Sequence, residues 1–206
     1  MYTLYHSPVS GNSYKVLLLL EQLEAPYEVI EVDILGGAAR TENFARLNAK
    51  RRVPVLITAE GHLLTESNAI LWYLARGSGF LPRDEFQQAQ ALEWMFFEQN
   101  HLESSLGLPR LWDTLLGQGR EKAAAIAERR AAGVVFLKIL EEHLAAHAFL
   151  VAERYTIADI CLYAYTHNCH EGGFDLAPFP AIRAWLARVA SQPRHVPMPP
   201  ARPAPR

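Results

Sequence analysis

The feature that most constrains this chain is a change of pattern at RGSGFLPRDE, residues 76–85. Before it, short strand signals alternate with helical ones; after it, the strand signals stop. MYTLYH is a short apolar and aromatic run, NSYKVLLLLEQL has helical spacing, YEVIEVDI alternates as a strand does, and TENFARLN is a short helix. VPVLIT and HLLT read as strands around the turn Glu60-Gly61, and ESNAILWYLAR is again a helix. The order β-α-β-α-β-β-α implies a mixed four-stranded sheet. Its first βαβ unit is parallel and right-handed, and the Glu60-Gly61 turn closes an antiparallel hairpin.

Small α/β domains of this order include the thioredoxin fold, so the expected fold class is α/β plus all-α. A thioredoxin-like domain spans residues 1–77, a linker marked by Gly79 and Pro82 spans 78–86, and an all-helical domain spans 87–192. In FQQAQALEWMFFEQNHLESSLG the spacing puts Leu92, Met95, Phe96, Gln99, Leu102 and Leu106 on one face and Trp94, Phe97 and His101 on another. Pro109 is expected to kink or end that helix. The next helix repeats Ile126, Gly133, Leu137, Leu140 and Leu144, with Glu128, Arg129 and Arg130 on its solvated side. TIADICLYAYTH and PAIRAWLARVASQ supply two more. Residues 193–206 hold six of the 13 prolines and read as a mobile tail, with a lid or recruitment peptide as the alternative.

Composition excludes several classes. Half of the 206 residues are hydrophobic, enough for a substantial core, and the 20 Lys and Arg nearly balance 22 Asp and Glu without a basic stripe. Nucleic acid is therefore not an expected partner. Without an 18-residue apolar stretch or a leader-like start, no membrane association is expected, and the location implied is cytoplasmic. Cys161 and Cys169 fall in one expected helix, about 12 Å apart at ~1.5 Å rise per residue, too far for a disulfide. His167, Cys169 and His170 splay over different faces there, so no metal site is expected.

Two short motifs here can carry chemistry, and a third belongs to folding. In VPVL, Pro54 cannot donate to a ladder; it either starts an edge strand with an ordinary trans bond or, if cis, turns the Val53 N–H and C=O toward an extended ligand. In TESNAI, Thr65, Ser67 and Asn68 crowd a helix start and can cap it. The same helix end attracts a carboxylate, and Glu66 beside it can hold an ammonium, so Glu66 and Ser67 together suit an amino-acid head group. TIAD is a capping box with Asp159 in place of the usual Glu, and is assigned to folding.

The combination S-x-x-S-x-K-V after the first strand, VPVL near residue 54 and ESNAI some ten residues on resembles the glutathione S-transferase superfamily, with bacterial theta-like, zeta-like or nu-like features. The likeness runs from Met1 to about Gln192, with YTIADICLYAY and LPRDEFQQAQALEWMFFEQ resembling the family's helix-starting box and domain junction. It implies a cis Pro54, glutathione as co-substrate, no metal and a homodimer. It also implies that the Val53 backbone pairs with the cysteinyl part, while Glu66 and Ser67 hold the γ-glutamyl end. Arg52 matches the position that binds the glycyl carboxylate, and Lys50 and Arg51 add positive potential. Relatives carry NPxGKVP or NPxGQVP where this chain has NAKRRVP, a departure that bears on the loop's shape.

Within SGNS, Ser10 matches the serine that meets the glutathione sulfur in theta-like and zeta-like enzymes. Asn12 stands where other members carry cysteine, and Ser13 is a third nearby hydroxyl. The alternative for Ser10 is a helix N-cap alone, with Ser13 as its partner. No cysteine occurs in the first 160 residues, which argues against a mixed disulfide on the enzyme. The Ser10 and Asn12 pair also fits nu-like members, which reduce disulfides with glutathione without an enzymic cysteine. Phe97, Asn100, His101 and Ser104 are the candidates for contacting a small apolar second substrate. The reading is thus a glutathione transferase, with a glutathione-dependent disulfide reductase or a non-catalytic interaction module of the same fold as alternatives.

Overall fold

In a computed structural model, described here for residues 1–201, the chain divides into two compact units. The first comprises Met1–Leu81 with Pro193–Pro199; the second comprises Pro82–Gln192 and, of the described residues, Pro200 and Ala201. The part of the proline-rich tail beyond residue 201 lies outside the described residues.

In the first unit, β1 (Tyr2–His6), α1 (Gly11–Gln22), β2 (Tyr27–Glu31), α2 (Glu42–Leu47), β3 (Val55–Ile57), β4 (Leu63–Thr65) and α3 (Ser67–Ala75) follow the expected order. The sheet order is β2-β1-β3-β4, with β1 parallel to β2 and antiparallel to β3, and β3 antiparallel to β4. α1 forms because Ser10 caps it and the apolar run from Val16 to Leu20 gives it a face to bury; Val16, Leu18, Leu19 and Leu20 are all fully buried. A second cluster packs Val32, Ala39, Phe44 and Val55 together, with Tyr5 edge-on to Phe44.

The residues from Pro193 to Pro199 belong to this unit, which corrects the expectation of a mobile tail for that stretch. Its anchor is Tyr14, a buried α1 side chain whose hydroxyl donates to the Val196 carbonyl at 2.7 Å and lies 3.3 Å from His195 Nε2. Arg194 adds a 2.5 Å ion pair with Glu24. A chain that cannot form a helix is held instead through its carbonyls, which proline leaves available. Tyr14→Phe is expected to cost about 1 kcal/mol, the net worth of one such bond, and to lower Tm by about 2–4 °C. Faster amide exchange at His195 and Val196 should accompany the loss; an unchanged melting curve and exchange pattern would show that the tail holds without this bond.

In the second unit, α4 (Glu85–Phe97) is capped by Asp84 and buries Ala91 and Met95. It does not end at Pro109. The helix widens into i→i+5 winding over Glu98–Gly107 and again over Arg110–Leu115, and Pro109 keeps helical torsions between them (φ −56, ψ −44). The wider turn relieves the contact between the proline ring and the preceding carbonyls that a tight α-turn would impose. Phe96 is exposed, contrary to the expected face, because it lies about 100° around the helix from buried Met95.

α5 (Ala123–Ala146) buries Ile126, Gly133, Leu137, Leu140 and Leu144, the five positions its spacing marks. Arg130 is not simply solvated: it bonds the Gly172 carbonyl at 2.7 Å and pairs with Asp113 at 2.9 Å. α6 (Ile157–Thr166) starts on the Thr156/Asp159 capping box and is buried along its length, and α7 (Pro180–Ala190) buries Ile182, Trp185 and Val189. α6 stops before Cys169, which opens a 3-10 turn at Cys169–Gly172, so the two cysteines do not share a helix; both are free and buried.

Candidate active site

The loop after β1 is tied by its own hydroxyls. Ser10 (φ −92, ψ 116) is the N-cap of α1, and its Oγ accepts from the Ser13 amide at 3.2 Å. Ser13 Oγ is buried and accepts from the Ser7 amide at 3.3 Å, while the Ser10 amide donates to the Ser7 carbonyl at 3.0 Å. Burial, rather than this bond, sets Ser13 apart: its side chain is enclosed, whereas Ser10 and Asn12 remain partly exposed on the first turn. Capping does not exhaust Ser10, since a hydroxyl that accepts with one lone pair still has its proton to donate. Beneath the loop, burial pushes the imidazole of His6 below its ordinary range, against the opposing pull of a hydrogen bond to the Ser13 backbone and of Glu31.

Asn12 reaches across the sequence. Ser67 Oγ donates to Asn12 Oδ1 at 3.1 Å, joining the first turn of α1 to the first turn of α3. Ser67 is itself buried, with its backbone at the opening of α3. The residue before it, Glu66, has φ +71 and ψ 114, a backbone state rare for a residue with a side chain and costing on the order of 1–3 kcal/mol. This geometry carries the α3 amides and the Glu66 carboxylate on consecutive residues. Lys50 Nζ meets Glu66 Oε1 at 2.6 Å, a pair the sequence did not announce.

The loop leading to Val53 is organised by Asn48. Its Nδ2 donates to the Arg52 carbonyl at 2.7 Å, and its Oδ1 accepts from the Lys50 amide at 3.0 Å. Arg51 occupies the position of the glycine in the related NPxGKVP motif and adopts the positive φ, +56, that glycine tolerates best. Its side chain pairs with Glu42 at 2.7 Å. The Val53–Pro54 bond is cis, and Val53 lies outside the ladder, whose third strand begins at Val55. Arg52 is exposed.

The four candidates for a second substrate all belong to the other unit. Phe97 packs edge-on against Phe136, and His101 stacks on the same ring with centroids 4.7 Å apart. Ser104 Oγ donates to the backbone carbonyls of His101 and Asn100, and Asn100 is exposed. His167 Nδ1 donates to the Tyr163 carbonyl at 2.7 Å, and its ring stacks on that of Tyr163. Among the described residues, no three His, Cys, Asp or Glu are grouped to hold a metal ion, and no helix is long and apolar enough to cross a membrane. Lys15, which resembles the family's basic residue at that position and reads as structural, is fully buried inside the apolar run YKVLLLL.

A mixed β2-β1-β3-β4 sheet with a cis-proline before β3, followed along the chain by an all-helical unit, defines the class of two-part thioredoxin-like proteins. Residues 1–76 match the family model "Glutathione S-transferase, N-terminal domain" and residues 91–193 match "Glutathione S-transferase, C-terminal domain". The chain belongs to the glutathione S-transferase family. It is 30% identical to the disulfide-bond oxidoreductase YfcG of Escherichia coli over 200 residues, 94% of this chain and 92% of that protein. A glutathione S-transferase of Pseudomonas fluorescens superposes with a TM-score of 0.93 at 45% identity, covering 96% of this chain and 98% of that one. A glutathione transferase of Burkholderia graminis, solved with two glutathione molecules per subunit, superposes with a TM-score of 0.83 at 25% identity over 94% of this chain and 85% of that one.

Proposed function

We propose that this protein is a cytoplasmic, homodimeric glutathione transferase that binds glutathione through its first unit and activates the thiol for attack on a small hydrophobic electrophile. The observation that carries the reading is the 3.1 Å bond between Asn12 and Ser67, because it brings together two candidates 55 positions apart, one for the sulfur and one for the γ-glutamyl end. In this reading the Ser67 amide and hydroxyl receive the γ-glutamyl carboxylate and Glu66 the ammonium, displacing Lys50. The Val53 backbone pairs with the cysteinyl residue, and Arg52 draws in the glycyl carboxylate. Ser10 donates to the thiolate with Asn12 beside it, and Ser13 fixes the loop. Phe97, Asn100, His101 and Ser104 are assigned to the second substrate.

The second reading, glutathione-dependent disulfide reduction, is favoured by the Ser10 and Asn12 pair on a cysteine-free first turn and by the likeness to YfcG. Turnover of a chlorodinitrobenzene against that of a small mixed disulfide separates the two: the transferase reading expects the aromatic substrate to be consumed at the higher kcat/KM. Titration calorimetry with glutathione comes first. Absence of heat and of any thermal shift at millimolar ligand would leave a non-catalytic module of the same fold.

A further inference from the structure

We propose that Lys50 is a specificity-determining residue of the glutathione site: its ammonium, seated on Glu66, stands in for the amino group of the ligand, so that γ-glutamyl-type thiols with and without that amine bind alike. The inference rests on the glutathione reading given above. Lys50 Nζ lies 2.6 Å from Glu66 Oε1, across 16 positions of sequence. Both backbones are held. Asn48 Oδ1 accepts from the Lys50 amide at 3.0 Å, and Glu66 sits at φ +71 just before α3, next to buried Ser67. What can swing is the side chains, and at 56% and 54% exposed their pair is screened well enough to open.

The loop before β3 carries three successive cations, Lys50, Arg51 and Arg52. Two of them already answer protein carboxylates, since Lys50 pairs with Glu66 and Arg51 with Glu42 at 2.7 Å. Lys50 therefore adds little net positive charge where the ligand's amine would lie; it cancels Glu66. A free γ-glutamyl amine must exchange one ion pair for another at that carboxylate, and the exchange is nearly balanced. A ligand without the amine leaves Lys50 in place, so Glu66 is not stranded beneath it as a bare charge. Either ligand meets a neutralised carboxylate. Without the Lys50 ammonium, the amine forms its pair with nothing to displace, and the ligand lacking it covers an uncompensated carboxylate.

The test is calorimetry on the full chain with two ligands, glutathione and glutaryl-cysteinylglycine, in which hydrogen replaces the γ-glutamyl amino group. The native protein should bind the two within about twofold of each other. Lys50→Met should tighten glutathione by about two- to fivefold, the worth of an exposed ion pair, and leave glutaryl-cysteinylglycine unchanged or weaker, so that the ratio of affinities opens by at least that factor. Lys50→Arg, which keeps a cation for Glu66, should retain the native ratio. A lysine that serves the ligand as an attracting charge would give the opposite sign, and glutathione affinity unchanged or weakened in Lys50→Met overturns the proposal. So does a native protein that already discriminates, or a ratio that does not open in the variant. If Lys50→Met does not fold, Lys50→Gln carries the same measurements. Where the native protein binds glutathione and only these ratios fail, the reading of the site stands and the role of Lys50 falls; no heat from the native protein with glutathione overturns both.

Discussion

Asp159→Ala is expected to destabilise the helical unit by about 4 kcal/mol, lowering its Tm by roughly 8–16 °C. The carboxylate is completely buried and gathers donors from three elements. Oδ1 accepts from the Leu150 amide at 3.1 Å and from Trp185 Nε1 at 2.9 Å; Oδ2 accepts from the Thr156 amide at 2.9 Å and the Thr156 hydroxyl at 3.2 Å. An ordinary capping box is worth about 1 kcal/mol. Here alanine would also strand the Leu150 amide and the Trp185 indole in the interior, each at about 1–3 kcal/mol. Asp159→Asn should be milder, since one oxygen acceptor survives.

The same residue sets a pH dependence of definite sign. Burial outweighs its four donors and pushes Asp159 up to about 6. The folded state therefore holds this proton more tightly than the unfolded chain, where an aspartate titrates near 4. That contribution is fully present below about pH 4 and is lost as pH rises through about 6, a change on the order of 3 kcal/mol. Urea midpoints of the native chain minus those of Asp159→Asn should fall across that window. A flat difference would mean that the carboxylate is already ionised in the folded state at acid pH.

TIAD shows what a sequence can and cannot disclose. Its capping box was legible because both partners lie three residues apart, in reach of one local turn. The bonds to Leu150 and Trp185 were not, since only the packed helical unit brings α7 and the preceding loop to that carboxylate. The same division runs through the candidate site. Glu66 and Ser67 were marked by local chemistry at a helix start, whereas Ser10 and Val53 were marked by the likeness of SGNS and VPVL to the family's motifs. The Asn12–Ser67 and Lys50–Glu66 contacts depend on how α1, α3 and the loop before β3 come together, which no spacing records. Of the two outcomes open at Pro109, a kink or an end, the end does not occur for a related reason: the local rule assumes a tight α-turn, and the chain there is wound more widely.

Ser10→Ala, with glutathione bound, is expected to raise the pH midpoint of thiolate absorbance by about 1–2 units, the worth of one hydrogen bond to a charged acceptor at ~1.5–3 kcal/mol. If the midpoint moves by two units from about 6.5, the thiolate fraction at pH 7 falls about 25-fold. The rate falls less. A more basic thiolate is the stronger nucleophile, and with a Brønsted slope of ~0.4–0.5 that recovers about eightfold. Turnover at neutral pH is thus a blunt measure, and the midpoint is the diagnostic one. Because Ser10 also caps α1, alanine confounds the result with a loss of about 1 kcal/mol in stability. Glycine at an N-cap costs only a few tenths of that order, so Ser10→Gly should shift the midpoint as alanine does while melting close to the native protein. Ser10→Thr, which keeps the donor, should restore the original midpoint. A midpoint unmoved in both Ser10→Ala and Ser10→Gly would assign Ser10 to helix capping alone and leave Asn12 as the donor to sulfur.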